Sequence, residues 1–148
     1  MTQPASTVYT VVSTAIRSKL LTSADLVSLL TQPDIPETKV YLLAANPAAN
    51  LPYVRMHHVF GGEPAQSPKR SFDQLWMVNT IAFDQSVAMS IDAYVQSLLL
   101  GQRLDFIDGW LAWADITKNG EYSNITNMQG QEIWEVGAYY RIRGVKGN

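Results

Sequence analysis

The side chains best suited to chemistry in this sequence are two adjacent histidines, His57 and His58. An imidazole can act as a general base, a nucleophile or a metal ligand. The run "YVRMHHVF" (53–60) predicts a strand, however, and adjacent strand residues point to opposite faces of a sheet. The two histidines therefore cannot hold one metal ion together. We expect one to be packed or hydrogen-bonded and the other to lie at the surface.

Other candidate motifs are incomplete. The run "DFIDG" (105–109) offers two carboxylates, whereas a calcium loop needs more oxygen ligands at fixed spacing. The run "GGEP" (61–64) has neither the lysine spacing of a phosphate-binding loop nor a helix after it. No serine has a G-x-S-x-G context, and the chain has no cysteine, which excludes disulfides, thiolate zinc sites and cysteine nucleophiles. We therefore expect no enzyme, no catalytic residue, no cofactor and no bound metal.

Aromatic and basic residues offer weaker signals. The four tryptophans (76, 110, 113 and 134) fall in predicted strands, where aromatic side chains are more often core than a base-stacking platform. Trp110 and Trp113 would face opposite sides of their strand, so one of them is a candidate for an exposed or interface position. Arg141, Arg143 and Lys146 form a mild basic cluster. It is either a solvated strand edge or a contact with an acidic neighbour or passing DNA.

Length and charge limit the class of protein. The chain has 148 residues, 47% of them hydrophobic, which suits one globular domain with a sizeable core. A formal net charge of −2 is not that of a general nucleic-acid binder. The N-terminal sequence lacks the features of a signal peptide, and no apolar run approaches the roughly 20 residues of a membrane helix. These features predict a soluble cytoplasmic protein that does not contact a membrane.

Hydrophobic periodicity predicts three helices, over residues 6–21, from the capping sequence "TSAD" (22–25) to Pro33, and over 85–100. The last of these starts after a capping Asp84 and ends near Gly101. Asp92 is expected to lie off its apolar stripe. The stripe is formed by Val87, Ala88, Ile91, Tyr94, Val95, Leu98 and Leu99.

Strands are predicted over 39–45, 53–60, 74–83, 108–116 and 132–143, with polar loops over 61–73 and 117–131. In the last strand, Trp134, Val136, Ala138, Tyr140 and Ile142 would face the core, and Glu135, Tyr139, Arg141 and Arg143 would face outward. The element order predicts a single-domain α+β fold. Its antiparallel (mixed) β-sheet carries the helices on one face.

The order of these segments resembles a known family. A helix pair is followed by "LPYV" (51–54), which opens a strand running to Gly61 and Gly62. After a polar loop, the strand "LWMVNTIAF" leads directly into the helix "SVAMSIDAYVQSLL", and two strands close the chain. This pattern resembles the tail terminator (tail completion) proteins of long-tailed bacteriophages.

The resemblance implies a virion structural protein, assembled in the host cytoplasm, that forms a homo-oligomeric, hexameric ring. Such a ring caps the tail tube, stops its polymerisation and forms the head–tail joining interface. The implied partners are the tail tube protein and a neck or connector protein. DNA would pass through the bore without specific binding, because a strongly basic lining would retain it through phosphate contacts.

Long loops cost entropy to order, so the two polar loops are predicted to be arms that grip neighbours in the assembly. The alternative for the first loop is a plain hairpin tip. Candidate contact residues on the arms are Glu63, Gln66, Lys69, Arg70, Lys118 and Glu121. The outward residues of the last strand, Glu135, Tyr139, Arg141 and Arg143, are a second candidate interface.

Two other functions stay open. One is a neck or head–tail connector protein of the same particle, which sequence does not separate from a terminator. The other is a small-molecule-binding or hydrolytic α+β domain with a pocket between the sheet and the helices. Tyr140 and one histidine are the polar candidates for such a pocket.

Overall fold

A computed structural model describes residues 8–62, 71–104, 110–112 and 116–146. Within these residues the chain forms three helices and six strands, in the predicted order but with one additional strand. The elements are α1 (Val8–Leu20), α2 (Ala24–Leu30), β1 (Val40–Leu42), β2 (Tyr53–Gly62), β3 (Ser71–Ala82), α3 (Gln85–Leu99), β4 (Trp110–Ala112), β5 (Thr117–Met128) and β6 (Gln131–Lys146).

The first two helices form much as expected. α1 buries a helically spaced apolar row that includes Val12, Ile16 and Leu20. The N-cap of α2 is Ser23, whose hydroxyl oxygen accepts a hydrogen bond from the Leu26 amide at 3.2 Å. The capping sequence was therefore placed one residue early. α2 ends three residues before Pro33, which cannot continue a helix.

α3 begins as predicted, with the Asp84 carboxylate accepting a hydrogen bond from the Ser86 amide at 2.8 Å. Its buried stripe is narrower than predicted, because it consists of Ala88, Ile91, Val95 and Leu99 with Leu98 partly buried. Val87 and Tyr94, which were predicted on this stripe, are exposed. The prediction that Asp92 lies off the buried face is wrong, because its side chain is only 6% exposed.

All six strands join one mixed sheet, in the order β1-β2-β3-β6-β4 with β5 also paired to β6. β1 is parallel to β2, and the other pairings are antiparallel. β6 is the central strand. One of its edges pairs with β3 from Trp134 to Val145, and its other edge pairs first with β5 and then with β4.

The segment 117–131, predicted as a loop, is instead the edge strand β5 and the turn that joins it to β6. Gln129 and Gly130 form this turn with φ of 54° and 80°. Nearly every β5 side chain is exposed, so neither face of the strand is built from apolar residues. The sequence of β5 therefore shows no alternation of apolar and polar residues. Backbone pairing with β6 defines this strand, and composition could not reveal it.

Other boundaries also differ from the prediction, including those of β6, which extends to Lys146 and not to residue 143. The strand predicted over 39–45 is limited to β1, which ends before Leu43 at φ 68°. The loop predicted over 61–73 is shorter, since β2 extends to Gly62 and β3 begins at Ser71. In the range 108–116 the structure describes β4 and Ile116, which forms an isolated bridge with Leu100, while 108–109 and 113–115 lie outside the described residues.

The helices pack on one face of the sheet, which confirms the predicted α+β single domain. Alternate residues of the long strands face the helices, as predicted for Ala138, Tyr140 and Ile142. Trp134 and Val136 lie on the same face but are only half-buried. Among the described residues, no helix combines the length and apolarity that a membrane crossing requires.

Candidate interaction surfaces

The outward residues predicted on β6 do lie on the face of the sheet away from the helices. Glu135 is at one end, where its Oε1 atom accepts hydrogen bonds from Arg55 Nη2 at 2.8 Å and from Asn79 Nδ2 at 2.7 Å. The three residues come from β2, β3 and β6, and the ion pair is half-buried. Sequence alone did not identify Arg55 or Asn79, because the contact depends on the register of three strands.

A second ion pair lies at the other end of this face. Arg141 donates from Nε to Asp73 Oδ1 at 2.9 Å and from Nη2 to Asp73 Oδ2 at 2.5 Å, a bidentate arrangement. The hydrogen bond from Arg141 holds the pKa of Asp73 below its ordinary value and raises the pKa of Arg141. Arg143 is the register partner of Asp73 and is exposed. Both ends of the outward face therefore carry fixed charge pairs.

Tyr139 lies between the two ion pairs on the outward face. Its side chain is half-buried beside β5, where a Cβ atom added to Gly120 would lie 3.7 Å from the tyrosine ring. Large apolar residues are exposed near the ends of the sheet, at Phe60, Phe83 and Met128. A face with central aromatic and peripheral charged groups is suited to contact another protein.

Lys118 and Glu121 were predicted on a loop arm, but the structure places both on β5. Their side chains form an ion pair of 2.7 Å between Lys118 Nζ and Glu121 Oε1, across a bulge in the strand. Lys118 also donates to Gln96 Oε1 of α3 at 3.3 Å. The two residues therefore lie on the helical side of the sheet, opposite the outward residues of β6. Glu63, Gln66, Lys69 and Arg70 lie outside the described residues.

A groove of about 530 Å³ separates α3 from β5 and β6 on the helical side. Its lining includes Met89, Asp92 and Gln96 from α3, and Glu121 and Ser123 from β5. Burial raises the pKa of Asp92, because a carboxylate loses hydration there. A pocket between the sheet and the helices was one of the alternatives raised from the sequence, but with Tyr140 and one histidine as its polar residues. The lining observed here was not predicted, since its β5 wall had been predicted as a loop.

The two histidines are on opposite faces, as predicted, so they do not share a metal ion. His57 faces outward, and burial together with nearby Arg55 lowers its pKa. His58 faces the helices, with its ring centroid 5.5 Å from that of Trp76 and its Nε2 atom 2.5 Å from the Gly61 carbonyl oxygen. The described part of the chain contains no cluster of three or more potential metal-ligating side chains.

Comparisons with known proteins show that the fold of this chain is similar to that of solved structures. No family model matches the sequence, and no curated protein matches it either. A solved chain described as "Virion of native gene transfer agent (GTA) particle" is similar, with a TM-score of 0.68 and 18% identity over 94% of this chain and 99% of that one. A second solved structure, whose name describes no function, has a TM-score of 0.51 and 15% identity over 89% and 93% of the two chains.

Proposed function

We propose that this chain is a structural protein of a phage-like virion, and more specifically a tail terminator. In this role it forms a hexameric ring that caps the tail tube, stops tube polymerisation and forms the head–tail joining interface. The observation that supports the proposal most strongly is the fold similarity to a chain of a gene transfer agent virion, which extends over nearly the whole length of both chains. The order of elements that resembles tail terminators is independent support.

The surfaces of the molecule support a binding rather than a catalytic role. The outward face of the sheet carries Tyr139 with an ion pair at each end, and β5 presents an exposed strand on the edge of the sheet. Exposed strand edges readily pair or pack with other protein molecules. We therefore propose that Glu135, Tyr139, Arg141 and Arg143 contact a neighbouring subunit or another particle protein.

The segment between β2 and β3 is proposed as a second contact. Glu63, Gln66, Lys69 and Arg70 would reach the adjacent subunit, the tail tube protein or the neck protein, and Lys69 and Arg70 would pair with carboxylates there. Lys118 and Glu121 on β5 belong to the same proposed set. DNA would pass through the bore without specific binding, consistent with a net charge of −2.

A neck or head–tail connector protein of the same particle is the closest alternative, because the similarity to a virion chain does not distinguish the two positions. A small-molecule-binding domain is favoured by one observation, the groove lined by Asp92. The pocket of such a domain was predicted to contain Tyr140 and a histidine, but neither residue is among those that line the groove.

The proposal is tested by measuring the mass of the purified protein by light scattering over a concentration series, with negative-stain images of the same samples. A ring of about six copies, alone or only after tail tubes are added, is the expected result. Antibody labelling of intact particles then separates the terminator position, at the end of the tube, from a neck position. A protein that stays monomeric at every concentration and does not bind tail tubes would overturn the proposal.

A further inference from the structure

One edge of β5 carries backbone groups that are not used in the sheet. Met128 and Gln131 are register partners on either side of a two-residue turn, and in such a hairpin this pair exchanges both hydrogen bonds. Hydrogen-bonded and non-hydrogen-bonded pairs alternate along an antiparallel ladder, so the backbone N–H and C=O groups of Ser123, Ile125 and Asn127 point away from β6. Among the described residues, these groups form no backbone hydrogen bond with another element.

The hydrogen bonds of β1 agree with this assignment. Carried across β6, β3 and β2 by the strand register, the same alternation points the backbone groups of Val54 and Met56 toward β1. The Val54 amide does donate to the Lys39 carbonyl oxygen at 3.0 Å, and the Met56 carbonyl oxygen accepts from the Leu43 amide at 2.9 Å.

The open edge of β5 is protected over only part of its length. Charges and bulges are the usual devices that prevent an edge strand from pairing with another chain. The start of β5 has both, because Lys118 and Glu121 form an ion pair across a bulge. The segment Tyr122–Met128, "YSNITNM", has no charged residue, no proline, no glycine and no bulge. It therefore lacks these barriers to pairing.

The opposite edge of the sheet is closed by its own residues. On β1, the Val40 amide donates to the Thr38 carbonyl oxygen at 2.7 Å, and the Val40 carbonyl oxygen accepts from Arg17 Nε at 3.2 Å. The Leu42 carbonyl oxygen accepts from the Ala44 amide at 2.9 Å. The part of β2 beyond β1 carries a bulge, and β4 has three residues. The strand of a second copy that best fits the open edge is therefore β5 itself.

We propose that two copies of this chain pair through Tyr122–Met128 of β5, antiparallel and related by a two-fold axis at Ile125. In this register the open backbone groups of Ile125 face those of the partner's Ile125, and those of Ser123 face those of the partner's Asn127. A shift in one direction meets the bulge and a shift in the other meets the turn to β6, so this register gives the longest uninterrupted pairing.

The side chains of the segment are complementary in the same register. Ile125, which is 50% exposed, would pack against the partner's Ile125. On the other side of the strands, Tyr122 would lie opposite the partner's Met128, which is 57% exposed, and methionine sulfur packs favourably against aromatic rings. Asn124 would lie opposite the partner's Thr126 and could hydrogen-bond to it. The contact would therefore cover exposed apolar residues without opposing like charges.

The size and symmetry of the contact indicate when it forms. Two short paired strands bury less than the roughly 1,200 Å² of a stable complex, so we expect weak, concentration-dependent association. The proposed ring on a tail tube is polar, whereas this contact has two-fold symmetry. The contact therefore belongs to the protein before assembly, where it covers an edge that could pair with other chains. It does not depend on the tail-terminator role.

The test uses single-cysteine variants, because the chain has no cysteine of its own. The Cα atoms of Ile125 and the partner's Ile125 would be about 5.5 Å apart, which a disulfide can span. Ile125→Cys, oxidised with copper phenanthroline and air, should give a covalent dimer on a non-reducing gel. Ser123→Cys, at another exposed position of the same edge, is the matched control. Its Cα atom would be more than about 13 Å from that of its own copy, so it should stay monomeric on the gel.

Two further measurements separate a specific contact from random collision. Ser123→Pro, added to Ile125→Cys, removes an N–H that points away from β6. It should leave the circular dichroism spectrum unchanged and reduce the covalent dimer at least about tenfold. An excess of the cysteine-free wild type should reduce the dimer in proportion, because it competes for the same edge.

Equal dimer yields for Ile125→Cys and Ser123→Cys would overturn the proposal, as would a yield that neither Ser123→Pro nor excess wild type reduces. A dimer from Ser123→Cys alone would show that the axis is not at Ile125. Ring formation is measured separately by mass in solution. Rings without the Ile125→Cys dimer would overturn this contact and leave the proposed function standing, and the dimer without rings or tube binding would do the reverse.

Discussion

Gly137 of β6 lies directly opposite Asn79 of β3, and a Cβ atom placed on Gly137 would lie 2.2 Å from Asn79 Oδ1 and 2.4 Å from the Val78 carbonyl oxygen. No real Cβ contact is that short, so the strands meet here at a distance that only glycine permits. This close approach lets the Asn79 amide donate to Glu135, which lies two residues from Gly137 on β6.

Gly137→Ala should therefore lower the free energy of unfolding by about 1–3 kcal/mol, the cost of overpacking a well-packed position. Urea denaturation followed by circular dichroism measures the change. Ser123→Ala, at an exposed β5 position, is the control and should stay within about 0.5 kcal/mol of wild type. Equal stability of the two variants would contradict the close approach of β3 and β6.

The two ion pairs of the outward face should differ in their contribution to stability. Glu135→Gln leaves Arg55 half-buried without its carboxylate and should cost about 1–2 kcal/mol, less than for a fully buried pair because solvent screens it. Asp73→Asn removes an exposed pair and should cost less than about 1 kcal/mol. Chemical denaturation of both variants checks the ranking, and the reverse order would contradict it.

The charge of Asp92 should destabilise the folded protein at neutral pH. The pKa of Asp92 is raised above its ordinary value of 3.8, so the folded state binds the proton more tightly than the unfolded state. The free energy of unfolding therefore falls as the pH rises from about the ordinary pKa to the raised pKa of the folded state. Above the raised pKa, the full loss of stability is present. Asp92→Asn should be more stable than wild type at pH 7 and nearly equal to it at pH 3.

Thermal denaturation between pH 3 and pH 8 measures this difference. Ser90→Ala, which removes an exposed hydroxyl of the same helix and no titratable group, serves as the control and should show a nearly constant difference from wild type. If Asp92→Asn is less stable than wild type at pH 7, its carboxylate is stabilised by a partner and not penalised by burial.

The outward face of β6 should be required for assembly but not for folding. The double variant Tyr139→Ala, Arg143→Glu removes a half-buried aromatic ring and reverses an exposed charge. We expect a folded monomer whose ring formation, measured by light scattering and negative-stain microscopy, is reduced at least about tenfold. Ser28→Ala, on the exposed side of α2, is the control. Normal assembly of the double variant would exclude this face from the interface.

The segment between β2 and β3 should act in assembly as well. Deleting residues 62–70 is expected to leave a folded protein but to impair ring or tube binding, and Lys69→Glu with Arg70→Glu should reproduce the loss through charge alone. Circular dichroism establishes folding, and co-sedimentation with tail tubes measures binding. A deletion that assembles normally would show that this segment is a simple strand connection.

The sequence predicted those helices and strands that have one buried, apolar face and one exposed, polar face. β6 and α3 were identified because each has one face in the core, and Asp84 was identified as a cap by its position. β5 was missed because it is exposed on both sides, and two-sided exposure leaves no periodic signal. The Arg55–Glu135 contact was missed for a different reason, because it depends on the register of three strands. The burial of Asp92 was missed because β5, which lines the same groove, was predicted as a loop.

The sixteen residues of β6 form one unbroken strand, which at roughly 3.3 Å per residue is about 50 Å long. The turn at Gln129 and Gly130 is at one end, and the pairing with β4 is at the other. A strand held on both edges transmits tension along its axis with little extension. In the proposed ring, a pull on the hairpin tip would therefore load the whole length of β6, and this strand would be the tensile element between one neighbour and the next.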